Sequence, residues 1–190
     1  EYASEFTVKA ASCGAGPYDL AHFNANVLAL TEYANPVFLG YIANAYTAYD
    51  LYPNPLTDLF KDPYAGLIPG LYDGLHTSEQ INSQLTTSIA GLFTAEYLSV
   101  GNTDQKYAGV RSALWANSIS GWDSEVPLLL LHGTADMDVM PVLSESMHNR
   151  MIGSGTNPLN CFYVTLNGLN HSDAAIPAGF AGYQFFKTYR

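Results

Sequence analysis

An α/β fold with a parallel sheet is what this sequence predicts, on three observations. The stretch Val126-Pro127-Leu128-Leu129-Leu130-Leu131-His132-Gly133 is apolar without alternation, as expected of a strand covered on both faces. A second strand-like run, Cys161-Phe162-Tyr163-Val164-Thr165-Leu166, follows it after a helical pattern. The resulting order of strand, helix, strand, helix over the last third implies a right-handed parallel βαβα unit.

Each element has its own local reason. Pro141 suits the first turn of a helix, and Leu143, Met147 and Met151, four residues apart, form one core-facing stripe. Gly153-Ser154-Gly155 ends that helix. A closing helix is expected from Pro177 to Tyr189, with Phe180, Tyr183 and Phe186 on one side. Near the start, Phe6 to Ala11 reads as a buried strand closed by the turn Cys13-Gly14-Ala15-Gly16-Pro17. Glu1 to Glu5 reads as the tail of a helix running into that strand, so further sequence is expected upstream.

The segment between these strands has a different character. Pro36, Pro53, Pro55, Pro63 and Pro69 cut it into short helical pieces rich in Tyr and Leu. Thr77-Ser78-Glu79-Gln80 is a capping box, and Ile81, Leu85, Ile89 and Leu92 at helical spacing predict one helix to about Ser99. Lys106 to Asn117 is a second helical candidate. The domain division is therefore 1–20 with 120–190, and 21–119 between them.

Composition excludes several function classes. Hydrophobic residues make up 48% and charged residues 13%, so the chain folds rather than remaining disordered. A net charge of -10 repels phosphates and argues against a nucleic-acid partner. No apolar run approaches the ~20 residues of a membrane span. Cys13 and Cys161 are not expected to pair, because they fall at opposite ends of strands two positions apart. No cluster has zinc spacing, and no metal or organic cofactor is implied. Few charges and 14 Tyr lean toward a secreted, periplasmic or cell-surface protein.

Functional groups in open parallel sheets gather at the carboxyl ends of strands. Two such loops are available, His132 to Val139 and Asn167 to Asp173. Asp136 in the first can orient His171 in the second, and His171 can then move a proton as general base and acid. Asp138 is the rival acid. His132 reads as a structural histidine at a buried strand end, and Asp173 as a helix N-terminal charge.

Pro127-Leu-Leu-Leu-Leu-His-Gly-Thr-Ala-Asp136 with Val139 resembles the acid loop of α/β-hydrolases, including secreted bacterial lipases and esterases and prolyl-oligopeptidase-like enzymes. The resemblance implies Asp136 as catalytic acid, His171 as catalytic base and a small-molecule ester or acyl substrate. It also implies that the chain is the C-terminal portion of such a hydrolase sheet, with the middle segment as an inserted helical cap. The superfamily's Gly-x-Ser-x-Gly nucleophile turn is absent. Ala10-Ala11-Ser12-Cys13-Gly14 is the nearest match, so a serine upstream is expected, with Ser12 as the alternative. A peptidase of the prolyl-oligopeptidase type and a non-catalytic binding module on the same fold are the other readings. An exposed sheet edge would also favour homo-oligomers.

Overall fold

The computed structural model describes residues 5–189. The chain forms two compact units, one made of Leu20–Ser118 and one of the flanking segments, up to Asp19 and from Ile119 onward.

The flanking unit holds a three-stranded parallel sheet in the order β1-β2-β3, formed by Ala11–Gly14, Leu128–Gly133 and Cys161–Leu166. Register pairs Ser12 with Leu129, and Leu129 with Phe162. Every residue of β2 is buried. Leu128 and Leu130 pack with Met147 and Met151, which lie on a helix spanning Val142–Gly153 (designated α9). On the other face runs a helix spanning His171–Lys187 (α10). Layers on both faces explain why the β2 sequence does not alternate.

The helical unit is built of α1 (Leu20–Leu28), α2 (Val37–Ala48), α3 (Leu56–Leu59), α4 (Tyr64–Leu71), α5 (Ser78–Asn82), α6 (Ile89–Leu92), α7 (Ala95–Val100) and α8 (Ala108–Ala116). Its core includes a stack of rings. Phe60 meets Phe93 at 4.8 Å, Phe93 meets Tyr97 at 5.6 Å, and Tyr97 meets Tyr107 at 5.0 Å between centroids. Tyr97 and Tyr107 are fully buried, so these two tyrosines serve packing.

Three expectations need correction. The first strand lies at Ala11–Gly14 rather than Phe6–Ala11, and Phe6 and Val8 are exposed. The ladder with β2 begins only where Ala11 donates to the Pro127 carbonyl at 2.9 Å, so hydrophobicity alone misplaced it. The expected helix tail over residues 1–5 lies, apart from Glu5, outside the described residues. The long helix from Thr77 to Ser99 is three short ones. Its capping box forms as expected, but Ser88 and Thr94 each cap a new start, accepting from the Gly91 and Tyr97 amides. Such hydroxyls compete for backbone groups and break a helix that periodicity would continue.

The closing helix starts at His171, not Pro177. Asn170 caps it, its side chain accepting from the Asp173 amide at 2.9 Å. Pro177 removes one backbone bond but does not end the helix. Phe180 and Tyr183 are largely exposed. The face of α10 toward the sheet carries small residues instead, with Ala174 buried and Gly182 against Ser12. A Cβ on Gly182 would stand 2.7 Å from Ser12 Oγ, so the close approach of α10 to β1 requires glycine there.

Cys13 and Cys161 are free, and burial raises both thiols above the ordinary range. Truncation of the α9 stripe tests the packing. Met151→Ala should lower unfolding free energy by about 2–4 kcal/mol. Ile176→Ala on the exposed side of α10 should change it by less than about 0.5 kcal/mol. Urea denaturation of both variants checks the contrast.

Candidate active site

Two loops at the carboxyl ends of β2 and β3 are stitched together by their backbones. The Thr134 amide donates to the Leu166 carbonyl at 3.1 Å, and the Ala135 amide to the Leu169 carbonyl at 3.0 Å. Gly168 N–H donates to Thr134 Oγ1 at 2.8 Å. Gly133 makes this possible, since a Cβ there would collide with the Leu169 carbonyl.

The stitched loops bring Asp136 to His171. His171 Nδ1 lies 2.7 Å from Asp136 Oδ2. A carboxylate only accepts, so Nδ1 carries the proton and Nε2 holds the lone pair. The Asp136 carboxylate has no exposed surface, whereas the His171 side chain is 34% exposed. Oδ1 of Asp136 accepts the amides of Asp138 and Val139, each at 2.9 Å. It is Asp136, not Asp138, whose carboxylate meets the imidazole; Asp138 contributes its backbone N–H. Asp173 stands in the first turn of α10, where its charge suits the helix N-terminus, and it is bonded to Asn170.

His132 belongs to the same cluster. Its Nε2 is 3.2 Å from Asp136 Oδ2 and its side chain is fully buried. Sequence reading gave it a structural role at the strand end and missed this contact. The available signal was a lone histidine in an otherwise apolar buried run, which must find partners for both ring nitrogens.

His171 borders a cleft of about 350 Å³ whose lining also includes Ser12, Gly14, Ala178 and Phe186. Ser12 shares the cleft but not the site. It lies inside β1, with its hydroxyl directed toward Gly182. Gly182 is roughly 16 Å farther along α10 than His171, at 1.5 Å rise per residue. Ala11–Gly14 continues as strand through Ser12, so the strand-to-helix turn that exposes a nucleophile is not formed there. Among the described residues, no hydroxyl is bonded to the His171 ring, and no group of acids, histidines and cysteines is placed to hold a metal ion.

This fold has counterparts among solved structures. A protein described as a hydrolase, from Legionella pneumophila, matches 99% of the chain at TM-score 0.80 and 22% identity. The rice cell wall degrading esterase LipA from Xanthomonas oryzae matches 99% of the chain at TM-score 0.75 and 19% identity. A ligand-bound form of LipA matches 96% of the chain at TM-score 0.72 and 21% identity. The likeness is one of fold. The chain spans about half the length of these proteins, covering 51% of the first, 53% of the second and 49% of the third. No family model matches the sequence, and no curated protein does.

Loss of the carboxylate would leave two amides and the His171 ring without their acceptor. Asp136→Ala should therefore destabilise the protein by about 2–4 kcal/mol in urea melts. Asp136→Asn, which retains an acceptor for the two amides, should cost less.

Proposed function

We propose that this protein works as a serine hydrolase on carboxylic esters, with Asp136 as the acid and His171 as the general base. The observation that carries the reading is the 2.7 Å contact of a buried carboxylate with a half-exposed imidazole. Those two groups stand on consecutive strand-end loops of a hydrolase-like fold. Asp136 fixes the tautomer of His171 and stabilises the imidazolium formed when Nε2 takes a serine proton. The serine oxygen attacks the ester carbonyl, and His171 returns the proton to the departing alcohol. A water molecule, deprotonated by the same nitrogen, then releases the acid.

The serine is assigned to sequence outside these 190 residues, because Ser12 lies in a strand interior away from His171. The 190-residue chain alone is therefore proposed to be inactive. A location outside the cytoplasm goes with this reading, supported by the low charge content. Among the described residues no helix is long and apolar enough to cross a membrane.

Fluorophosphonate labelling and p-nitrophenyl ester turnover of the full-length protein test the proposal. His171→Ala and Asp136→Asn should each lower kcat by roughly 10³- to 10⁴-fold. Label on Ser12 would overturn the assignment of the nucleophile. Turnover of prolyl peptides instead of esters would replace the esterase reading with a peptidase one.

Self-association through the sheet edge is a second expectation. Among the described strands β1 pairs only with β2, which leaves its outer edge open. Sedimentation velocity of the 190-residue chain over micromolar concentrations should show dimers or larger species. A monomer throughout would dispose of the edge as an association site.

A further inference from the structure

His132 is tied to the site by contacts that reach beyond packing. Its Nδ1 lies 2.6 Å from Ser144 Oγ, and its Nε2 lies 2.7 Å from the Val139 carbonyl. The same Nε2 is 3.2 Å from Asp136 Oδ2. A carbonyl oxygen only accepts, so the proton is on Nε2. Nδ1 then accepts the hydroxyl of Ser144, which is fully buried on α9. Its Nε2–H is directed to the Val139 carbonyl, with the Asp136 carboxylate alongside at 3.2 Å.

From this geometry we infer that His132 is a positioning residue for the Asp136–His171 pair, with the Val139 carbonyl fixing its tautomer and Ser144 holding its other ring nitrogen. The inference rests on the reading of that pair as the catalytic acid and base. Val139 is clamped from both sides, its amide on Asp136 Oδ1 at 2.9 Å and its carbonyl on His132 at 2.7 Å. The clamp closes the loop that starts at Asp136 and keeps the carboxylate facing His171. Without it the Val139 carbonyl loses its partner, and the loop is free to turn the carboxylate.

Nitrogen-15 NMR of the histidine-labelled full-length protein, at a pH where the rings are neutral, reads the tautomers directly. The unmodified protein should show His171 as Nδ1–H and His132 as Nε2–H. His132→Leu should roughly halve the Nδ1–H population of His171. His132→Gln, whose amide can donate to the Val139 carbonyl, should restore most of it, which a purely space-filling role would not predict. Ser144→Ala should leave His132 as Nε2–H, which the Val139 carbonyl still holds, and weaken the His171 signature to a smaller degree. An unchanged His171 signature in folded His132→Leu overturns the inference. Should His132→Leu not fold, His132→Phe, which keeps a ring there but donates nothing, decides, and an unchanged His171 signature in it overturns the inference. The readout needs no turnover. A protein that shows these tautomer changes but reacts with no ester or serine probe would defeat the proposed activity and leave the brace standing.

Discussion

A carboxylate held away from water, that of Asp136, governs how the two strand-end loops are arranged. A buried charge costs several kcal/mol unless donors surround it. Here both oxygens are supplied, Oδ1 by the Asp138 and Val139 amides and Oδ2 by the His171 ring. Those donors come from its own loop and from the start of α10, and His132 at the end of β2 holds the Val139 carbonyl of the same loop. Satisfying one side chain thus fixes a turn and a helix origin together. The same arrangement turns Nδ1 of His171 to the carboxylate and leaves the side chain partly exposed.

Close backbone approach is the second condition. Gly133 lets the acid loop lie against the carbonyl of Leu169, and Gly182 lets α10 lie against Ser12 of β1. Small residues on the sheet-facing side of α10 bring its N-terminus, and so His171, down to the ends of the strands. Phe180 and Tyr183 of that helix stand outward, while Phe185 packs on Phe162 of β3.

The helical unit obeys a different logic. Its elements are short, from four residues in α3 and α6 to twelve in α2. Segments this short have little stability of their own. Ring stacking among Phe60, Phe93, Tyr97 and Tyr107 and repeated side-chain caps supply what length does not.

The sequence by itself determined the α/β class, the span of β3, the α9 stripe and the capping box at Thr77. Each of these depends on neighbours within a few residues or on burial of one periodic face. It also pointed to Asp136 and His171 at the ends of parallel strands, and the structure brings these two side chains within 2.7 Å of each other. Only the tertiary structure decided where β1 begins, since a strand's limits are set by its ladder partner and not by the hydrophobicity of Phe6 or Val8. It alone started α10 at Asn170, where a side-chain cap outweighed the proline signal of Pro177. It alone showed that His132 and Ser144 share in the Asp136 cluster, for although they lie within 12 residues of each other, their contacts depend on how β2, the acid loop and α9 fold back on one another. Periodicity records which face of an element is buried; it carries no record of which polar atoms meet there.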